Sequence, residues 1–288
     1  MKLIQTVSEM QAEAGRARCE GRRLALVPTM GSLHEGHLEL VRRARSEADH
    51  VTVSVFVNPT QFAPGEDFER YPRDLAGDLA LLEGVGGVEA VYAPDVQAMY
   101  ENGASSLTWV EVDRLTEHLC GPHRAGHFRG VTTIVTKLFN ACRPDSAVFG
   151  LKDAQQFFVL RRMVRDLDFG IRLVGVDTVR EPDGLAMSSR NRYLTGEVRA
   201  QAAVLSRAVF GARDAVRGGE RRAESVIDGM RRAFADTPLI LPEYTEVVDA
   251  DELQPVLRLE PGSTVVAAVA AHAGGARLID NCIFEVPA

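Results

Sequence analysis

The chain has 288 residues, 45% apolar and 25% charged, a composition that excludes disordered and fibrous classes and is long enough for two cores. Its net charge of −7 argues against broad adhesion to nucleic acid or an anionic membrane, so an anionic substrate must be drawn in by local cations. Cys19, Cys120, Cys142 and Cys282 are scattered with no CxxC pair, which argues against a disulfide framework or a thiolate metal site and fits a reducing cytoplasm.

Residues 1–15 are polar and mixed in charge, without the apolar stretch of a targeting signal. From there to about Arg180, short β-branched runs alternate with helical spacings, which predicts parallel strands joined by crossover helices. Strands are predicted over 24–27, 51–57, 88–92, 147–149 and 171–176. Between them Leu38/Val41/Ala44/Ala48, Leu75/Leu79/Leu82, Val131/Ile134/Val135/Leu138/Phe139/Cys142 and Phe157/Leu160/Val164/Leu167 recur at helical spacing as core stripes.

Beyond Arg180 the pattern changes. Val198/Ala202/Leu205/Val209/Ala212/Val216 and Val226/Ile227/Met230/Phe234 predict two helices, separated by Gly218-Gly219. Strands follow over 243–248, 264–270 and 277–286, divided by Asp, Pro and Gly turn residues. The apolar run 265–271 is too short to span a bilayer and suits a buried strand. The expectation is an α/β domain over 1–180 and a smaller α+β domain over 181–288, with no internal repeat.

The segment 28–37 has the most chemistry in it. An apolar run leads into Pro28-Thr29-Met30-Gly31-Ser32-Leu33-His34-Glu35-Gly36-His37, and a helix pattern follows. Helix starts expose unpaired N–H groups and the positive end of the dipole, so an anion finds partners there. His34 and His37, three apart, would face one phosphate together. Two other readings stay open: an ordinary polar pair on a first turn, or a zinc pair, although HExxH spacing and a Cys-rich partner are both missing. No GxxxxGK[ST] occurs, and Gly84-Val85-Gly86-Gly87 fails the dinucleotide spacing.

His34-Glu35-Gly36-His37 resembles the HxGH signature of the nucleotidyltransferase superfamily. Together with Phe56-Val57-Asn58-Pro59-Thr60-Gln61-Phe62, Tyr71-Pro72-Arg73-Asp74 and Met187-Ser188-Ser189-Arg190-Asn191-Arg192-Tyr193-Leu194, it resembles the pantothenate synthetase (pantoate–β-alanine ligase) family along essentially the whole chain. That resemblance implies a Rossmann-like domain for nucleotide and pantoate, and a C-terminal α+β lid. The activity it implies is ATP-dependent ligation of pantoate and β-alanine through a pantoyl adenylate, with release of pyrophosphate and AMP.

By the same resemblance Met30, Gly31, Ser32, Leu33, His34, Glu35, Gly36 and His37 hold ATP, as do Gly150, Leu151, Lys152, Asp153, Val179, Met187, Ser188, Ser189 and Arg190. His37, His34, Lys152 and Arg190 carry the chemistry, with His37 as proton donor. Gln61 and Gln156 bind pantoate, Gln61 also lining the β-alanine pocket, and Asp78 is the candidate ligand for Mg2+. Leu151 and Ala154 depart from the family pattern, where glutamate and an aromatic residue are expected. A homodimer acting in the cytoplasm is implied, with no nucleic-acid or membrane partner. Arg124, in the basic stretch 121–130, is either a solvated cation or a phosphate gate. The rivals are another small nucleotidyltransferase, disfavoured by the neutral amides of Asn58, Gln61 and Gln156, and a catalytically silent nucleotide-binding protein.

Overall fold

The computed structural model describes residues 1–288 apart from Pro64, Asn102, Ala104 and Ser105. In chain order it runs β1 (Lys2–Ile4), α1 (Val7–Cys19), β2 (Leu24–Thr29), α2 (Glu35–Glu47), β3 (His50–Val55), α3 (Leu75–Val85), β4 (Ala90–Tyr92), α4 (Val96–Met99), α5 (His127–Cys142), β5 (Ser146–Gly150), α6 (Ala154–Asp166) and β6 (Arg172–Val176). Then come α7 (Gly196–Ala202), α8 (Val204–Arg217), α9 (Ala223–Arg232), β7 (Ile240–Asp249), β8 (Thr264–Ala273) and β9 (Ala276–Glu285).

Six strands form one parallel sheet in the order β1-β4-β3-β2-β5-β6, a Rossmann-like arrangement with crossover helices. Its central strand β2 is apolar on both faces, as burial beneath helices requires; Leu24, Ala25, Leu26 and Val27 are all buried. The second sheet, β7-β8-β9, is antiparallel. It packs with α8 and α9 around a core that includes Leu205, Val209, Met230, Val247, Val265 and Phe284. The α/β domain and smaller C-terminal α+β sheet expected from the sequence are therefore both present.

The chain divides into two compact units. One comprises Met1–Val112, Arg124–Leu151 and Val159–Asp177; the other comprises Asp113–His123, Lys152–Phe158 and Thr178–Ala288.

Strand order places the functional segments. The chain winds outward from β2 through β3 and β4 on one side and restarts at β5 on the other, so β2 and β5 flank the point where the winding reverses. Open α/β sheets bind ligands outside the carboxyl ends of the strands at such a point. The histidine segment follows β2, Asn58 follows β3, and Gly150 ends β5.

Some elements differ from expectation. The single helix predicted over 198–216 is two, because Ala203 takes ψ −6° at the α7/α8 junction, well short of the helical value. The apolar stripe runs unbroken across it, so periodicity does not register the break. β1, α1 and α4 were not predicted: β1 and α4 are three and four residues long, and α1 buries chiefly Met10 and two alanines beside Glu13. α5 begins at His127, one turn before its predicted stripe.

Candidate active site

The turn after β2 is bent by two successive left-handed residues, Gly31 (φ 77°) and Ser32 (φ 51°), a conformation that glycine adopts freely and serine seldom does. It delivers His34 as the N-cap of α2. Within the helix start, the N–H of His34 donates to Nδ1 of His37 at 3.3 Å, and the two rings stand 4.1 Å apart between centroids at 42°. With Nδ1 accepting, the ring proton of a neutral His37 sits on Nε2, which makes Nε2–H the donor. Both imidazoles are half-buried, Glu35 is exposed, and Ser32 and Leu33 are buried. α3 supports this turn from below: Asp78 Oδ2 accepts from the N–H of Ser32 at 2.9 Å, and Oδ1 from that of Leu33 at 2.7 Å. Asp74 is the N-cap of α3, accepting from Gly77 N–H at 2.9 Å.

Gln61 lies beside this turn, its Nε2 directed at Met30 Sδ, 3.0 Å away. Its amide orientation is set by Asn58, which is 1% exposed and donates from Nδ2 to Gln61 Oε1 at 3.0 Å and to Gly130 O at 3.2 Å. Asn58 Oδ1 in turn accepts from Tyr100 OH at 2.9 Å and Thr60 Oγ1 at 3.0 Å. An amide fixed at every atom cannot flip, so Gln61 presents its NH2 end with a defined direction.

Arg124 belongs to this same unit. It forms a forked pair with Glu66, Nε to Oε1 and Nη2 to Oε2 both at 2.7 Å, and Nη1 lies 2.9 Å from His127 Nε2. Nδ1 of His127 donates to Gln61 O at 2.7 Å. Burial alone would push the Glu66 carboxyl up, but the Arg124 guanidinium outweighs it and holds the group below its ordinary value.

β5 leads into a 3-10 turn, Leu151–Asp153, before α6 begins at Ala154. Lys152 and Gln156 therefore do not share one regular helix face. In the second unit, Lys152 is half-buried, 3.8 Å from Asp153 Oδ2, and its carbonyl accepts from Asn281 Nδ2 at 2.8 Å. Of the adjacent glutamines, Gln155 is committed: its Oε1 accepts from Cys120 N–H at 2.9 Å, and its Nε2 donates to Leu115 O and His118 O, both at 2.8 Å. Gln156 is half-buried. Of the two departures from the family pattern, Leu151 lies over β6, where a Cβ on Gly175 would meet its Cδ2 at 2.8 Å, and Ala154 is 4% exposed.

The remaining predicted residues form one small hairpin. Arg180 and Ala186 make an antiparallel bridge, and Met187 N–H donates to Val179 O at 2.9 Å. Arg180 clamps Asp280 of β9 with two bonds, 2.7 and 2.9 Å. Beyond Met187, Ser188 caps a 3-10 turn by accepting the N–H of Arg190 at 3.2 Å. Ser188, Ser189 and Arg190 are half-buried.

Two clusters thus emerge. The first unit gathers Met30–His37, Gln61 and Asp78, and the second gathers Lys152 and Asp153 on Asn281 and joins Val179 to Met187–Arg190. Tyr100, His127 and Asn281 enter as supports that the sequence did not single out for a role, and Asn58 as the residue that orients Gln61. Asn58 stood in a quoted motif, but Tyr100 and Asn281 meet their partners across 42 and 129 residues, a spacing no local pattern encodes.

Comparison with known proteins adds the identity. The family model for pantoate-β-alanine ligase matches residues 2–283. Pantothenate synthetase of Salinibacter ruber is 60% identical over 292 residues, spanning 100% of this chain and 99% of that protein. The crystal structure of pantothenate synthetase from Thermus thermophilus matches with a TM-score of 0.90 at 45% identity, over 100% of both chains. That of pantoate-β-alanine ligase from Francisella tularensis, complexed with β-γ ATP and β-alanine, matches with a TM-score of 0.78 at 27% identity, over 98% of this chain and 97% of that one. With agreement of this extent, the chain belongs to the pantoate-β-alanine ligase family, the enzymes also called pantothenate synthetases.

Proposed function

We propose that the protein joins pantoate to β-alanine in two steps on one ATP. The pantoate carboxylate attacks the α-phosphorus in line, forming a pantoyl adenylate and displacing pyrophosphate. The amine of β-alanine then attacks the activated carbonyl, giving pantothenate and AMP. Alignment and charge stabilisation do most of the work in the first step, since the chemistry needs no covalent enzyme intermediate.

The observation that carries this reading is the His34–His37 arrangement. With its Nδ1 accepting from a backbone N–H, His37 offers Nε2–H as donor to a phosphate oxygen that gains charge as the phosphoanhydride bond to the leaving pyrophosphate breaks. Lys152, Ser188, Ser189 and Arg190 are assigned to the β- and γ-phosphates, Val179 to adenine through its backbone, and Gln61 and Gln156 to pantoate. In this assignment Gln61 also lines the β-alanine pocket, Gly150 and Asp153 complete the nucleotide site, and the C-terminal part acts as the lid that keeps water from the adenylate. Magnesium enters as an ion carried on the triphosphate, which needs only one or two protein carboxylates. Asp78 fits that role poorly, because both its oxygens already accept backbone N–H groups. No step here depends on it. A cytoplasmic homodimer completes the reading, its oligomeric state checked by light scattering.

The test is stepwise. Pyrophosphate release requires ATP and pantoate but not β-alanine, whereas AMP release requires all three. Pyrophosphate release with another acid and none with pantoate would overturn the assignment. His37→Ala and Lys152→Ala each lower the pyrophosphate-release rate by about 100-fold or more; unchanged rates would remove these residues from the chemistry.

A further inference from the structure

Asp78 is 3% exposed and sits in the first turn of α3, yet it is hydrogen-bonded to another segment altogether. Each of its oxygens accepts one of two consecutive N–H groups in the turn after β2, those of Ser32 and Leu33. Consecutive N–H groups converge in this way where the backbone bends into a concavity that suits an anion, and here the bend is made by left-handed Gly31 and Ser32. The fit is close. A Cβ on Gly31 would stand 2.8 Å from Asp78 Oδ2 and 3.0 Å from Val55 Cγ1, so the glycine is required by space as well as by φ.

We propose that Asp78 is a positioning residue for adenylation: an internal anion that fills the Ser32–Leu33 concavity and fixes where His34 and the first turn of α2 point, rather than a ligand of a divalent cation. This rests on reading the His34–His37 turn as the triphosphate site. It has a chemical consequence for that site. The donors at Ser32 and Leu33 are already used by the protein, so the phosphates are met by the N–H groups of Glu35 and Gly36 at the helix start and by His37.

Asp78→Asn tests this, because the amide keeps the shape but turns an NH2 toward one of the two N–H groups. With ATP and pantoate present and β-alanine omitted, the single-turnover kcat for pyrophosphate release should fall about 10- to 100-fold. The Mg2+ concentration for half-maximal rate should stay within about twofold, as should KM for pantoate. A rise of about fivefold or more in that Mg2+ concentration, with the rate restored at high Mg2+, would make Asp78 a cation ligand and overturn the proposal. An unchanged kcat would do the same. A second measurement needs no variant: in the nucleotide-free protein, the Ser32 and Leu33 amides should resist hydrogen exchange, and rapid exchange at both would show that the clamp does not hold. Absence of pyrophosphate release by the unsubstituted protein would instead defeat the functional reading, while the amide protection would still report on the clamp.

Discussion

Arg124 shows how much a residue's meaning depends on partners that are remote in sequence. Its guanidinium is clamped by Glu66, 58 residues away, and by His127, so of its two readings the freely solvated cation is excluded. Truncating one member of a partly buried, forked pair leaves the other with an uncompensated charge. Glu66→Gln should therefore lower the free energy of unfolding by about 1–2 kcal/mol in urea titrations, and a loss below about 0.3 kcal/mol would mean the pair contributes nothing in solution. His34 and His37 were legible because they are three residues apart on one helix start. Tyr100 holding Asn58, and Gln155 bonded to the 115–120 segment, were not: only folding brings those partners within reach.

Among the elements, α5 gives the sharpest contrast between propensity and packing. Gly130 lies inside this helix, where replacing glycine by alanine ordinarily stabilises by about 1 kcal/mol. Here a Cβ would stand 2.3 Å from the carbonyl oxygen of Thr60, so α5 must move away from the turn that holds Asn58 and Gln61. Gly130→Ala should instead destabilise by about 1–3 kcal/mol and raise KM for pantoate; a higher melting temperature would show that the close approach is absent. The short apolar strand runs and the helical stripes were readable, since burial beneath helices demands them. α1 was harder, because it buries mainly small residues, although Thr6 and Glu9 do form a capping box at its start, a signal present in the sequence as T-x-x-E. The α7/α8 break left no trace in the stripe because the apolar positions on either side stay in phase.

For the molecule as a whole, pH dependence follows from groups whose pKa values are all lowered on folding, for different physical reasons. His50 is fully buried in β3, neither ring nitrogen has a hydrogen-bond partner among the described residues, and burial lowers its pKa below 6.5. In the unfolded chain it binds a proton more readily, so its contribution to stability is lost as pH falls below about 6.5. Glu13 acts in the same sense at lower pH and for a different reason. Burial would raise it, but Arg16 and Lys2 together bring it down to about 2, and its contribution is present above about pH 4.5 and lost as pH falls toward about 2. Glu243, held down by Arg277 in spite of burial, adds to that lower limb. Denaturant titrations from about pH 8 to about pH 3 should show stability falling in two stages, and His50→Leu should abolish the upper one; an unaltered profile in that variant would refute the assignment. The change of style near residue 180 was visible in the sequence. That 113–123 and 152–158 group with the C-terminal residues was not, because membership in a unit is decided by packing and not by chain order.

The hairpin that ties Val179 to Met187 has a kinetic consequence. Its two sides are cross-bonded and fixed to β9 through Arg180 and Asp280, so the backbone of Val179 and the serine–arginine turn form a single lever. On the proposed assignment, purine and leaving group are released by the same stroke, and stiffening that lever, for instance with a cross-link between its strands, should slow the departure of both products to one shared rate.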